Sequence, residues 1–446
     1  MRDAPRQNGE RVAGNERRPR FLLIPLLLLA TVPLSRLDPS SGSHAAGVRP
    51  LSADFHVSIG PMVVVPIALG LLLWLAFPWL SRRSPRAFLA IAVAFGWTFA
   101  VTLAIEGTFG ALTARFAQAG NYWSQVPIVE RLGPRAFAAA YPHLFVSGYP
   151  VTHAAVHPPG ALLSLWALSR ATGGSIGLAC SIVVLIGCLG AIPTYFIARQ
   201  AYGERAARWA SLLFVCCPGI LLYAVSMDAV FVTVTAVALV ALLRAPRSDA
   251  WALGAGLLTA VALCFTFGAL ALAPLFLGIL LLTRKEVPTG ILVRRAALVG
   301  VGVILAAVGV RAALSIDLIA DLRSVIKAQS LFDQLGGRPY RYWVWADAAA
   351  FFLSAGIGLT ALFAAEVGVR WRRRTPGLET VLLATIVLFS LSGLNRGETD
   401  RIWLLFVPIL CATAASSARD VEVRWVAAAG LAQALIIQCL LLVWGR

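Results

Sequence analysis

Long apolar runs separated by short charged segments dominate the sequence. After an apolar stretch at 21–34 that has the character of a signal anchor, runs of spanning length recur along the rest of the chain. They cover 60–80, 87–106, 175–198, 205–225, 228–244, 250–267, 269–283, 294–314, 346–367, 378–394, 401–418 and 424–443. This pattern predicts an all-α, polytopic membrane protein with about thirteen transmembrane helices.

Basic residues mark every second connection between these runs. Counted from a cytoplasmic N-terminus, the basic segments lie at 82–86, 199–208, 244–247, 284–295, 370–374 and 419–424. Cytoplasmic loops of membrane proteins carry such an excess of arginine and lysine. We therefore expect a plasma-membrane or inner-membrane protein whose N-terminus is cytoplasmic and whose C-terminus is extracytoplasmic.

The same pattern divides the chain into regions. The first region is polar and arginine-rich, which predicts a disordered cytoplasmic tail. Two N-terminal spans follow, and then the main transmembrane domain, whose longest loops face outside. The predicted bounds are 1–19 for the tail, 20–86 for the two spans and 87–446 for the main domain, with external loops at 107–174, 315–345 and 395–401.

Composition agrees with a membrane protein. Hydrophobic residues make up 59% of the chain and charged residues 13%, against about 25% charged in soluble proteins. The net charge of +17 does not indicate nucleic acid, because the basic residues punctuate the ends of apolar runs. The seven cysteines fall within apolar runs without metal-ligand spacing, so they are interpreted as small apolar residues.

A histidine-rich segment lies in the first long polar gap. His153 and His157 are four residues apart, and Pro158 and Pro159 follow directly. Proline fixes its own φ and drives the preceding residue to extended geometry, so His157 should sit on a stiff, non-helical backbone. The alternative is a proline-rich connector whose histidines are merely solvated.

Several ionisable residues fall at the external ends of the predicted spans. Charges at membrane depth are costly and are therefore functional candidates, although each could also be an interfacial charge that reaches water. They are Glu106, Asp228, Arg311, Glu398 and Arg401.

The segment 395–401 concentrates four charges between two apolar runs. Gly397 permits a tight turn, and Arg396 and Arg401 offer guanidinium groups suited to phosphate or carboxylate. Glu398 is placed to orient one of them. The alternative is a solvated hairpin turn.

Four stretches together resemble the GT-C superfamily of integral-membrane glycosyltransferases, in particular actinobacterial-type members related to protein mannosyltransferases and aminoarabinose transferases. His157-Pro158-Pro159-Gly160 resembles the family's His/Lys-Pro-Pro element in the first large external loop. The segments 176–203, 218–228 and 396–403 resemble later family features. The likeness covers roughly residues 87–410.

This resemblance implies transfer of a sugar from a polyprenyl-phosphate donor to a cell-envelope glycan, lipid or protein at the extracytoplasmic face. The lack of a Walker A or glycine-rich nucleotide loop also favours a membrane-delivered donor over a soluble nucleotide. The leaving phosphate needs cationic stabilisation, from a divalent cation or from the chain itself. The donor-binding residues implied are His153, His157, Arg396, Glu398 and Arg401.

One position departs from the family pattern. An acidic residue before a tyrosine is expected in the first loop as general base, but this chain has Asn121 before Tyr122. Asparagine cannot accept the proton, so Glu106 is the preferred replacement and Glu130 a weaker one. Two other functions stay open: a transporter or flippase of lipid-linked glycans, and a non-catalytic scaffold of an envelope complex. A transporter is expected to show repeat symmetry, which is not evident here.

Overall fold

The computed structural model describes residues 26–35, 47–106, 112–118, 120–144 and 153–443 of the 446-residue chain. These residues form α-helices, short 3-10 turns and one two-stranded sheet. The all-α prediction is confirmed. The predicted tail at 1–19 lies outside the described residues, and so does the first part of the histidine-rich segment, up to residue 152.

In the first half of the chain the helices are α1 (Leu26–Ser35), α2 (Val64–Leu80), α3 (Pro85–Glu106), α4 (Leu112–Phe116), α5 (Tyr122–Leu132), α6 (Pro134–Leu144), α7 (Gly160–Ala171), α8 (Ile176–Leu189), α9 (Ala191–Tyr202), α10 (Glu204–Val215), α11 (Pro218–Leu222) and α12 (Met227–Arg244). In the second half they are α13 (Asp249–Phe265), α14 (Leu272–Thr283), α15 (Thr289–Leu314), α16 (Leu318–Leu335), α17 (Tyr340–Ala355), α18 (Ile357–Arg373), α19 (Leu378–Ser392), α20 (Thr399–Ile402), α21 (Val407–Ala415) and α22 (Asp420–Leu440).

Six helical segments of the described chain are long and apolar enough to cross a bilayer, or seven if the bent pair α17–α18 counts as one span. The six are Pro61–Leu80, Pro85–Ile105, Ile176–Tyr202, Met227–Arg247, Thr289–Leu314 and Asp420–Leu440, and each coincides with a predicted run. Shorter apolar helices occupy further runs. The multi-pass prediction therefore holds, whereas the count of about thirteen spans is not confirmed by helix length.

The predicted apolar run at 346–367 is interrupted in the structure and is not one straight helix. Helices α17 and α18 meet at 112°, and Gly356 between them has a φ of 108°, which side chains rarely allow. Gln433 of α22 takes over the backbone hydrogen bonds at the break. Its amide donates to the Leu353 carbonyl (2.7 Å), and its carbonyl accepts from the Ile357 amide (3.0 Å). A side chain from another helix thus satisfies the backbone where the helix is interrupted.

The predicted external loops at 107–174 and 315–345 are largely helical. The first contains α4 to α7, and the second contains α16 and the start of α17. Helix α7 packs on α13, α5 contacts α12 through Tyr122 and Phe231, and α16 packs on α6 and on a 3-10 turn at His153–Val156. The short apolar run after Gly160 therefore packs inside the protein, where part of its surface is fully buried.

Burial distinguishes the central helices from the peripheral ones. In α12 67% of the span is buried, whereas in α15 the share is 11%. Helix α15 approaches α13 closely because both carry glycine at the crossing. A Cβ built on Gly256 would lie 2.1 Å from the Val299 carbonyl oxygen, and one on Gly302 would lie 2.4 Å from that of Leu253. Contacts through small residues of this kind are typical of helix pairs in membranes.

The sheet joins the two ends of the described chain. Strand β1 (Ala53–Phe55) pairs antiparallel with β2 (Leu441–Val443), which directly follows α22. The same N-terminal segment reaches α20, because the Ser52 amide donates to Asp400 Oδ2 over 3.1 Å. The residues before α2 therefore contribute to the surroundings of the predicted site.

Candidate functional site

The turn between α19 and α20 is sharply folded and held by α17. Gly393, Gly397 and Glu398 all have positive φ, at 60°, 80° and 59°. Glycine adopts this conformation freely, whereas for Glu398 it is strained. Asp347 Oδ1 accepts from the Gly397 amide (2.9 Å), and the Thr399 hydroxyl donates to the Asp347 backbone carbonyl (2.9 Å). These bonds fix Glu398 and the residues that follow.

Arg401 is the centre of a buried charge network. Its guanidinium, 3% exposed, donates to Asp228 Oδ2 at the start of α12 (2.9 Å) and to Glu398 Oε2. His153 Nδ1 lies 3.0 Å from Arg401 Nη2. The Ser226 hydroxyl also donates to Asp228 (3.0 Å). The structure thus brings together four of the residues predicted from the sequence, and two carboxylates contact the one guanidinium.

Glu398 connects this network to a second arginine. Arg338, just before α17, donates to Glu398 Oε1 over 2.5 Å and to the Arg396 carbonyl over 2.8 Å. Burial opposes ionisation of Glu398, but the guanidinium groups of Arg401 and Arg338 outweigh it and hold the pKa of Glu398 below its usual range. Glu398 is therefore an ionised bridge between two arginines.

The predicted histidines lie side by side on the 3-10 turn and the segment after it. His157 is buried and stacks on Phe231, with ring centroids 5.0 Å apart. The Tyr141 hydroxyl donates to the His157 carbonyl and anchors the turn. Burial lowers the pKa of His157 to about 3, and burial together with Arg401 lowers that of His153 to about 4. Both rings are neutral at physiological pH, so the positive charge of the site comes from arginine.

Asp400 lies beside Arg401 but has different partners. The Tyr223 hydroxyl donates to Asp400 Oδ2 over 2.5 Å, in addition to the Ser52 amide. Burial raises the pKa of Asp400, and these hydrogen bonds oppose the rise. Arg115 of α4 interacts electrostatically with Tyr223, Arg401 and Asp400. A second layer of charge therefore surrounds the Arg401 network.

A cavity of about 820 Å³ opens next to this network. Its polar lining includes His157, Asp333, Arg338, Asn395 and Arg396. The apolar part of its wall comes from α16, α19 and the segment before α14, with Leu322, Val325, Ile326, Phe389, Leu394, Phe267 and Leu270. The volume and the mixed lining are typical of a ligand site.

Arg396 and Arg401 do not act as one pair. Arg396 lines the cavity, lies over the Tyr340 ring at 5.7 Å and donates only a long 3.4 Å bond to the Arg338 carbonyl. Its Nε has no hydrogen-bond partner in the described part of the chain. Arg401, in contrast, is buried between Asp228 and Glu398. The guanidinium groups that line the cavity are those of Arg396 and of Arg338, which also pairs with Glu398.

The residues predicted for proton transfer lie on the other side of His157. Asn121 precedes α5, and its amide donates to the Arg115 carbonyl (2.5 Å). Tyr122 is buried, and its ring makes an edge-type contact with that of His157 at a centroid distance of 5.8 Å. Glu106 is the last residue of α3, and its side chain lies outside the described part. Glu130 is exposed on α5.

Arg311 is not brought to the site. It ends α15, where it pairs with Asp317 over 2.9 Å with its side chain 70% exposed. Conversely, sequence reasoning did not identify Asp333, Asp347 or Arg338 as site residues. The aromatic-basic stretch 338–343 was a signal for Arg338, but nothing in the sequence indicates its contact with Glu398, sixty positions later. Within the ranges described, no group of three or more His, Cys, Asp or Glu side chains could hold a metal ion.

Comparison with known proteins identifies part of the chain. Residues 156–311, from the residue before His157 to Arg311, match the family of dolichyl-phosphate-mannose-protein mannosyltransferases. This match supports a GT-C-type membrane glycosyltransferase. The resemblance stated from the sequence is confirmed for this segment. None of the curated proteins matches the chain.

Similar solved structures include ArnT from Cupriavidus metallidurans. Its undecaprenyl-phosphate-bound form is 18% identical, with 74% of this chain and 60% of ArnT covered at a TM-score of 0.47. The apo form is also 18% identical, with 66% of this chain and 58% of ArnT covered at a TM-score of 0.40. An oligosaccharyltransferase from Archaeoglobus fulgidus, in complex with zinc and sulfate, is 14% identical. The comparison covers 73% of this chain and 48% of the oligosaccharyltransferase at a TM-score of 0.39. The chain spans about half to three fifths of the length of these proteins.

Proposed function

We propose that this protein is a membrane glycosyltransferase that moves a sugar from a polyprenyl-phosphate donor to a cell-envelope acceptor at the extracytoplasmic face. The observation that carries the proposal is the cavity of about 820 Å³, which combines an apolar wall with two arginines at its polar end. The match of residues 156–311 to a family named for a dolichyl-phosphate sugar supports the same class of donor.

The lining of the cavity suits an amphiphilic donor. The apolar wall on α16 and α19 can cover the first isoprene units in surroundings as apolar as the lipid that they leave. Arg338 and Arg396 present guanidinium groups that bind a phosphate with directed hydrogen bonds. Neutral His157 adds a hydrogen-bonding group that carries no charge.

The chemistry follows from this placement. The acceptor hydroxyl oxygen forms a bond to the anomeric carbon of the sugar while the bond from that carbon to the phosphate oxygen breaks. Polyprenyl phosphate leaves with the electron pair, and the negative charge that develops on it is stabilised by Arg338 and Arg396. The hydroxyl proton passes to a carboxylate, for which Glu106 stays the candidate because Asn121 is not basic.

The orientation belongs to the same proposal. With the basic connections in the cytoplasm, the N-terminus is cytoplasmic and about thirteen hydrophobic runs traverse the membrane, some as broken helices. The sheet between β1 and β2 brings the end of α22 to the face that carries Asp400 and the cavity. In this orientation the site and the C-terminus therefore lie on the same, extracytoplasmic face.

A non-catalytic scaffold is the second candidate, and Asn121 is the observation that favours it. Its amide holds the Arg115 carbonyl in a hydrogen bond, which is a structural role. Such a protein would still have the cavity but would not break the bond between sugar and phosphate.

The experiment is an assay for released polyprenyl phosphate. Purified protein in lipid nanodiscs is incubated with a panel of polyprenyl-phosphate sugars and an envelope extract as acceptor. We expect release by the wild type, a strong decrease for the double variant Arg338→Gln/Arg396→Gln, and no change for the control Arg131→Gln at an exposed position of α5. Lipid binding without release from any donor would favour the scaffold, and neither binding nor release would overturn the proposal.

A further inference from the structure

One face of α16 lines the cavity along most of the helix. The residues that face it follow helical spacing and divide by position. Those nearer the N-terminus are apolar, and those nearer the C-terminus carry hydroxyl, amide and carboxyl groups. The apolar members are Leu322, Val325 and Ile326, and the polar members, which we name the polar strip, are Gln329, Ser330, Asp333 and Gln334.

Asp333 is the central member of the polar strip. Asp333 is 8% exposed. Its Oδ1 accepts a hydrogen bond from the Gln329 amide over 2.9 Å, and Arg338 Nη1 lies 3.9 Å from the same oxygen. It is the one carboxylate among the residues that line the cavity within the described ranges. Arg338 also pairs with Glu398, and through Arg338 Asp333 lies next to the proposed phosphate position.

The opposite face of α16 holds the strip in place. Asp321, Ser324 and Ala328 are buried away from the cavity, and the helix packs on α6 and on the turn His153–Val156. That turn leads directly to His157, which lines the same cavity. The polar strip therefore has a fixed position relative to the histidine and the two arginines.

We propose that the polar strip binds the hydroxyl groups of the donor's sugar and selects a neutral, polyhydroxylated sugar. This rests on the proposed function, because a phosphate held by Arg338 and Arg396 places the attached sugar beside Asp333. A carboxylate accepts from two neighbouring hydroxyls, and the amides of Gln329 and Gln334 both donate and accept. A sugar that carries its own carboxylate would meet the charge of Asp333 and be rejected.

The test separates the sugar from the rest of the donor. Asp333→Asn and Gln334→Ala are compared with Asp317→Asn, which changes an acid on the same helix outside the cavity and keeps a residue that caps helices well. Each variant is measured for binding of sugar-free polyprenyl phosphate and for kcat/KM with neutral and with uronic-acid lipid donors. Thermal unfolding of each variant shows that it is folded.

We expect Asp333→Asn to lower kcat/KM for neutral sugar donors on the order of 10- to 100-fold, with a smaller decrease for Gln334→Ala. Binding of sugar-free polyprenyl phosphate should be unchanged, and the preference against uronic-acid donors should shrink. Equal losses in sugar-free lipid binding, or an unchanged sugar preference, would overturn the inference while leaving the proposed function intact. Failure of the wild type to bind polyprenyl phosphate would instead refute the proposed function itself.

Discussion

The arginines of the site differ in how their charge is compensated. Arg401 is buried and contacts two carboxylates, whereas Arg396 lies in the cavity wall with one long hydrogen bond. A buried charge that loses its partner is strongly destabilising, and a charge facing a cavity is available to a ligand. Arg401 is therefore a residue that organises the site, and Arg396 is a residue that can bind.

The two arginines should consequently respond differently to truncation. Arg401→Ala leaves Asp228 buried without its charged partner and Glu398 paired with Arg338 alone, and should lower stability by about 3–5 kcal/mol. Arg396→Ala should leave the unfolding temperature nearly unchanged and decrease donor use on the order of 10- to 100-fold. Thermal unfolding and the release assay on both variants check this. Loss of donor use in a fully stable Arg401→Ala variant would contradict the distinction.

The proton acceptor is tested by two substitutions at the residue scale. If Glu106 is the base, Glu106→Gln should abolish transfer and leave donor binding unchanged, because the amide keeps the shape and loses basicity. Asn121→Asp should then increase transfer activity only slightly, since a nearby second carboxylate would raise the pKa of the first.

In a non-catalytic protein the outcome would be the reverse. Glu106→Gln would have no effect, and Asn121→Asp would be the variant that creates measurable release. Release assays on the two variants, with the exposed acid change Glu130→Gln as control, distinguish these cases.

At the scale of elements, α16 carries an acid on each of its faces. Asp333 faces the cavity, and Asp321 is fully buried and interacts electrostatically with Tyr141 of α6. Neither oxygen of the Asp321 carboxylate has a hydrogen-bond partner within the described chain. Burial, reinforced by the charge of Asp317, raises the pKa of Asp321 to about 7.

The stability of the folded protein should therefore depend on pH through Asp321. The folded protein binds the Asp321 proton more tightly than the unfolded chain does, so this contribution is complete below about pH 4 and is lost as pH rises through about 7. Its size is on the order of a few kcal/mol. Asp321→Asn should be more stable than the wild type at pH 8, with the difference shrinking towards pH 5. Parallel unfolding temperatures for the two proteins across this range would contradict it.

At the scale of the whole molecule, the sequence predicts more of the membrane pattern than of the site. Apolar runs such as 60–80 and 228–244 coincide with helices because spanning length is a local property. The break at Gly356 escapes prediction, since its hydrogen bonds are satisfied by Gln433 from a distant helix. Glu398 and Arg401 were identified as charges at a span end, but their contacts with Arg338 and Asp228 arise only from tertiary packing.

The orientation is testable with introduced cysteines. Of the seven native cysteines, six are buried and none is disulfide-bonded, so the background reaction should be low. Glu130→Cys on α5 should react with an impermeant thiol reagent in intact cells, and Arg82→Cys between α2 and α3 should react only after permeabilisation. The opposite pattern would place the cavity on the cytoplasmic face.

The most direct measurement is to map where a photoreactive polyprenyl phosphate attaches to the protein. A probe with its photoreactive group in the first isoprene units should label the cavity wall, in the segments 267–270, 322–326 and 389–394. Excess unlabelled polyprenyl phosphate should suppress this labelling, polyprenol should not, and Arg338→Gln/Arg396→Gln should abolish it. Labelling confined to the exposed surfaces of α2 and α15, and unaffected by competitor, would contradict a polyprenyl-phosphate site in this cavity.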